Sequence, residues 1–172
     1  QNPPRLNNTL SDAEERKIFG SDTVSGNLFG DQIVAGGNKI LVKARYKNGN
    51  TQPGTLYAFN PDGTGEVKIN PSFAEVDDNW GGNDAIGIGT NKIVVGDWTA
   101  DYNSLTNNGT VHTYNLNGTG ETLLTSGSAG DYCGRSVAIG DSRIVVGIPY
   151  SDTISYNAGK ARLYHTDGTL IT

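Results

Sequence analysis

The chain has 172 residues, of which 35% are hydrophobic and 8% aromatic, with 24 glycines and no methionine. That composition suits one domain of short strands and turns better than long helices. A formal net charge of −5, with no basic run, removes the electrostatic footprint of nucleic-acid binding. No apolar run has the length of a membrane-spanning helix, so membrane insertion is not expected, and the single cysteine, Cys133, cannot form an internal disulfide.

In chain order, residues 1–14 read as an N-terminal arm containing Pro3-Pro4 and Asn7-Asn8. A rival reading makes Ser11-Asp12-Ala13-Glu14 a capping box opening a short helix, with no apolar periodicity behind it. Glu15-Arg16-Lys17-Ile18-Phe19 resembles Gly65-Glu66-Val67-Lys68-Ile69 further along. Residues 15–19 are therefore predicted to be an extra strand, the fourth of a unit that precedes the first repeat.

Residues 15–172 form a three-repeat domain, with copies at about 27–75, 76–128 and 129–172. Phe29-Gly30, Trp80-Gly81 and Cys133-Gly134 open equivalent segments about fifty residues apart, and each leads to an apolar run: Lys39-Ile40-Leu41-Val42, Lys92-Ile93-Val94-Val95 and Arg143-Ile144-Val145-Val146. The second halves align as well, from Gly54-Thr55-Leu56-Tyr57, Gly109-Thr110-Val111-His112 and Gly159-Lys160-Ala161-Arg162 through Asp62-Gly63-Thr64, Asn117-Gly118-Thr119 and Asp167-Gly168-Thr169.

Each copy predicts four short strands. Ser136-Val137-Ala138-Ile139 and its equivalents make the first, and a tight turn at Gly140-Asp141, with residues that accept positive φ, leads to the β-branched second strand. That second strand suits cover on both faces. A polar loop such as 97–108 follows, then a strand alternating as Thr110-Val111-His112-Thr113-Tyr114, and the Asp-Gly or Asn-Gly step turns into the fourth strand. In the last copy Leu170-Ile171-Thr172 starts that strand and stops.

These segments resemble FG-GAP repeats, the blade motif of integrin α-subunit β-propellers. The "FG" position is Phe29-Gly30, Trp80-Gly81 and Cys133-Gly134, and the "GAP" position is Gly147-Ile148-Pro149, degraded at Gly96-Asp97-Trp98 and Lys43-Ala44-Arg45. Ser136 to Gly147 is the nearest match. The resemblance implies an all-β fold of three four-stranded antiparallel blades in a β-propeller-like array. The hairpin flavour, Tyr-x-x-(Asn/Asp)-Gly-Thr-Gly-Glu, resembles repeats of phage virion and tail-fibre proteins. Three blades are fewer than the four to eight of closed propellers, so closure is expected from partner chains, from missing sequence or from another stacking, with a homo-oligomer the simplest supply of identical blades.

Integrin-type blades often hold calcium in an Asp-x-Asp-x-Asp-Gly loop, and no such run is present. The nearest oxygen-rich loops carry Asp97, Asp101 and Asn103, then Asp152 with Ser151 and Ser155, then Asp77-Asp78-Asn79. Calcium is the one cofactor these loops leave open, and plain solvation is the competing reading. His112 and His165 read as strand residues, no nucleophile–base, phosphate-loop or HExxH pattern occurs, and Cys133 reads as a small buried hydrophobe. Catalysis is therefore not expected. Trp98, Tyr102, Tyr150 and Tyr156 lie in or beside the loops between second and third strands, where aromatics anchor ligands, sugars included.

The resulting expectation is a non-enzymatic structural or binding component of a virion, of the phage tail-fibre kind, assembling with itself or with other virion proteins and meeting a host receptor or glycan. The alternative is an extracellular, calcium-assisted adhesion module of the integrin-propeller type.

Overall fold

The computed structural model describes residues 16–47, 52–72, 80, 82 and 85–172. The arm at 1–14, the capping box within it and the Asp77-Asp78-Asn79 loop lie outside these residues.

Eleven strands account for nearly all the regular structure among the described residues: β1 (Phe29–Gly36), β2 (Lys39–Lys47), β3 (Gln52–Phe59), β4 (Val67–Ile69), β5 (Ile86–Ile88), β6 (Lys92–Asp97), β7 (Thr110–Asn115), β8 (Thr122–Ser126), β9 (Ser136–Ile139), β10 (Arg143–Ile148) and β11 (Lys160–His165). They form three antiparallel meanders, β1-β2-β3-β4, β5-β6-β7-β8 and β9-β10-β11. The fold is all-β, as expected. The sheets are open.

The turns follow local chemistry. Gly37 and Asn38 lie at φ 52° and 57° between the paired residues Gly36 and Lys39, the geometry of a type I′ hairpin. The same geometry was expected at Gly140-Asp141, but neither residue has a positive φ. That turn closes instead through Gly140 N–H to Arg143 O at 2.9 Å. The three Asx-Gly-Thr hairpins are near copies of one another. Gly63, Gly118 and Gly168 have φ of 74°, 77° and 94°, each after an Asp or Asn whose carboxyl or amide oxygen accepts the N–H of the following threonine at 3.0, 3.2 and 2.8 Å.

A cation then locks each hairpin to its second strand. Lys39 and Lys92 donate to the side-chain oxygens of Asn60 and Asn115 at 2.8 and 2.9 Å, and Arg143 meets His165 Nδ1 at 3.1 Å.

The sheets stack in one direction. We call the face toward the next sheet in the chain the forward face. Leu41, Leu56 and Ala58 on the forward face of the first sheet pack with Ile86, Ile88, Ile93 and Val95 on the rear of the second. The pattern repeats one step on: Val94 and Val111 pack with Ile144, Val146, Ile148 and Cys133. Alternation along β2, β6 and β10 sends successive residues to opposite faces, so each run serves two joints. Cover on both faces holds for β6, whereas β10 reads exposed and buried in alternation, because no described sheet lies over the forward face of the third.

The third sheet has three strands, not the expected four. Leu170 bridges to Tyr164 and Ile171 N donates to Leu163 O at 2.8 Å, which brings the chain only to the start of a fourth strand. The extra strand expected at 15–19 does not form a ladder over its described residues, 16–19. The segment meets the rear face of the first sheet rather than a sheet edge, and Ile18 packs there with Val42, Ala44, Tyr57 and Phe59.

Glycine is required where two sheets touch through backbone. A Cβ on Gly96 would run into the carbonyl oxygen of Gly134 and approach Gly134 Cα at 3.1 Å, whereas one on Gly140 would meet nothing within 4 Å. Gly96→Ala is expected to cost about 1–3 kcal/mol or more through forced separation of the second and third sheets. Gly140→Ala should be near neutral. Urea unfolding of the two variants side by side measures the difference.

Candidate functional site

The loops leaving β6 and β10 lie at the end of the sheets opposite the Gly-Asn turn. In the second repeat Asp101 Oδ1 accepts Asn107 N–H at 2.7 Å, and in the third Asp152 Oδ1 accepts Asn157 N–H at 2.6 Å. Asn107 and Asn157 have φ of 50° and 51°, and the loops then close through Gly109 N to Ala100 O and Gly159 N to Ser151 O at 3.1 and 3.0 Å. Each aspartate is thus the staple of its own loop.

The four residues considered as metal ligands fall at two loops, three from the end of β6 onward and one after β10. Asp97 is the last residue of β6 and fully buried, Asp101 and Asp152 staple loops of different sheets, and Asn103 is exposed at φ 56° in the short 3-10 turn Tyr102–Ser104. Among the described residues no group of three acidic, histidine or cysteine side chains is placed to hold a metal.

Of the four aromatics read from the sequence, two belong to one constellation. Trp98, at the exit of β6, lies 5.5 Å from the ring of Tyr132, and Tyr132 lies 5.1 Å edge-on from Tyr150, at the exit of β10. The Arg135 guanidinium sits 4.5 Å over the Trp98 ring. The result is a row of three rings carrying one stacked cation. Trp98 Nε1 is buried with no hydrogen-bond partner among the described residues. Tyr102 stays apart, its backbone clamped by the Asn108 side chain at 2.9 and 3.1 Å, and Tyr156 stands 84% exposed on the loop tip.

Tyr132 and Arg135 were missed in the sequence. They flank the Cys133-Gly134 step, whose neighbours looked like punctuation of the repeat. The row depends on Tyr132 adopting φ 51°, with its N–H donated to Asn107 O at 3.1 Å, and no residue-type pattern signals that in a tyrosine. Tyr150 N–H, at 3.4 Å from Asp131 O, ties the third ring to the same link.

Elsewhere the titratable groups serve the stack. Burial pushes the Cys133 thiol up to about 12, so it is an inert apolar filler at neutral pH. Burial lowers Lys43 to about 8, with the nearby Asp31 carboxylate acting against the shift. Lys43 occupies the strand position that Gly96 and Gly147 hold in the other copies. Burial takes His112 down to about 4 despite Glu121, whose Oε1 lies 3.4 Å away. At the opposite end, the first-to-second strand turns of all three sheets line a recess of about 460 Å³, bounded by Gly37, Asn38, Gly89, Thr90, Gly140 and Asp141.

A family model described as FG-GAP repeat matches residues 124–164. An FG-GAP repeat is thus present in the third copy, the one whose Ser136–Gly147 segment reads nearest to the pattern. No curated protein matches the chain.

Two outcomes follow from the electrostatics. Because no group of three acidic, histidine or cysteine side chains among the described residues is placed to hold a metal, excess calcium against a chelator should move the thermal midpoint by less than about 2 °C, read by scanning calorimetry, where saturation of a tight site would raise it further. His112 is held neutral in the fold but takes a proton near 6.5 when unfolded, so its contribution to stability is complete above pH 6.5 and is lost as pH falls toward 4. The loss reaches about 3 kcal/mol. Denaturant titrations between pH 7 and 4 should show a flatter decline for His112→Gln than for the parent chain.

Proposed function

We propose that this chain is a non-enzymatic binding module whose ligand-facing element is the Trp98–Tyr132–Tyr150 row with Arg135. The observation that carries this reading is the placement of three rings and a cation on loops from two adjacent sheets, at one end of a rigid stack. Loops held by a β-scaffold are the usual position for recognition residues, and flat rings combined with a guanidinium suit sugars that carry a carboxylate. FG-GAP repeats point to a binding or adhesion module in the same way.

The setting we favour is a surface assembly of the virion or tail-fibre kind, built from several copies and presenting the aromatic row to a host glycan or receptor. That setting rests on the flavour of the hairpin sequences. The calcium-assisted adhesion reading draws no support from the described residues, among which no three acidic, histidine or cysteine side chains are grouped to hold a metal.

Tyr150 is 43% exposed and can be cut back without opening the core. Tyr150→Ala and Arg135→Ala should each weaken binding to a carboxylated glycan about tenfold or more, measured on a glycan array and then by calorimetry, with thermal midpoints close to the parent's. Unchanged binding in both variants would remove the row from the site.

A further inference from the structure

The turns between first and second strands bring one position of every repeat together, at the end of the sheets opposite the aromatic row. Gly36, Gly89 and Gly140 follow Ala35, Ile88 and Ile139, which pair with Ile40, Ile93 and Ile144 near the start of the second strands. β1, β5 and β9 touch in turn, so these strand ends meet. A Cβ on Gly36 would touch Ile88 Cγ2 at 2.9 Å, and one on Gly37 would run into the carbonyl oxygen of Gly89. One on Gly89 would approach the carbonyl oxygen of Gly140 at 3.1 Å. Glycine lets these turns approach through backbone, and the missing side chains leave the recess of about 460 Å³ between them.

The lining combines aliphatic surface with oxygen acceptors. Ile88 and Ile139 supply the aliphatic part. The carbonyl oxygens of Gly89 and Gly140 accept no hydrogen bond from the described residues, because the turn bonds run the other way, from Gly89 N–H to Lys92 O and from Gly140 N–H to Arg143 O, each at 2.9 Å. Asp141 is the one charged residue of the lining. Its Oδ1 accepts the Thr90 hydroxyl at 2.9 Å across the joint between the second and third sheets, which fixes the carboxylate and leaves Oδ2 for a ligand. The cations that follow the turns are engaged elsewhere: Lys39 and Lys92 with Asn60 and Asn115, and Arg143 with His165. Those partners lie at the ends of the third strands, away from the first-strand ends that line the recess.

We infer that this recess binds an organic ammonium group carried on an alkyl chain, as in a small aliphatic amine or a lysine side chain. An ammonium has three N–H donors and no acceptor, and Gly89 O, Gly140 O and Asp141 Oδ2 are three acceptors of one lining. The Asp141 carboxylate offsets the charge of the ammonium. The methylenes of the chain meet Ile88 and Ile139. A neutral hydroxyl could use the carbonyls but would draw nothing from the charge. Calcium, which takes about 6–8 oxygens, suits the lining less well. With a single carboxylate in an open recess, the affinity is modest. This inference is independent of the aromatic row.

Titration of the 172-residue chain with pentylamine at neutral pH, followed by heteronuclear NMR, should give saturable shifts at the amides of Gly89, Thr90, Gly140 and Asp141 and at the methyls of Ile88 and Ile139. Pentanol, of the same length and uncharged, should give none. Asp141→Asn alters an exposed turn residue and keeps its shape; it should weaken pentylamine binding about tenfold or more and flatten its salt dependence. Nα-acetyl-lysine N-methylamide separates the two sources. Binding as tight as pentylamine's assigns the recess to a lysine side chain, and binding of pentylamine alone assigns it to a free amine; both outcomes keep the inference. No saturation by about 50 mM overturns it. So do shifts away from the recess, equal binding of pentanol, or an Asp141→Asn chain that binds like the parent. If that variant fails to fold, the amine–alcohol comparison on the parent decides.

Discussion

Everything in this molecule depends on one contact, the apolar joint in which the forward face of a sheet meets the rear face of the next. A four-stranded sheet of this size cannot bury two faces by itself. Leu41 against Ile93 and Val95, and Val94 against Ile144 and Val146, supply the burial that a single repeat lacks. Other features serve that contact. Glycine at 96 and 134 lets backbones touch across it, and Cys133 fills the position where the other copies carry Phe29 and Trp80.

The joint also sets where recognition can occur. The faces between sheets are consumed by stacking, which leaves the outer faces and the two loop ends for a ligand. One end is made of tight glycine turns around a recess of mixed lining; the other is made of long loops. Asp101 and Asp152, two of the aspartates that first suggest a metal, each hold their own loop in shape. The loops are thereby rigid enough to set Trp98, Tyr132 and Tyr150 side by side, and rigidity lowers the ordering cost of binding.

Much of the fold was legible because repetition amplifies weak signals. A single Val-Val-Gly or Asn-Gly step means little, but three in register fix strands, turns and boundaries together, as β6 and β10 show. What repetition could not reveal lies where copies differ. Tyr132 has no aromatic equivalent in an adjoining copy, and its left-handed backbone has no residue-type signature. Asp97 looked like a loop residue because the polar stretch begins with it, yet it ends β6 with no exposed surface. Sequence placed Trp98 and Tyr150 on the right loops, and proximity between loops of two sheets is a tertiary fact that no local pattern encodes. Residues 15–19 were matched to 65–69 one position out of register, since Arg16 and Ile18 lie against the Gly63 turn as Val67 and Ile69 lie against the Gly118 turn, and the described residues 16–19 form no ladder.

The near identity of the three Asx-Gly-Thr hairpins bears on how the molecule ages. Asn117-Gly118 is a sequence prone to lose ammonia, through attack of the glycine nitrogen on the side-chain amide. Where hydrolysis restores the normal main-chain linkage, the product is aspartate, which repeats one and three already carry at this turn. The oxygen that accepts Thr119 N–H and its hydroxyl is retained, as it is by Asp62 toward Thr64. The Gly118 N–H is meanwhile engaged with Asn115 O at 2.9 Å, which holds the nucleophile away from the amide. The second repeat can therefore pass chemically into the state of its neighbours, gaining one negative charge while keeping its turn.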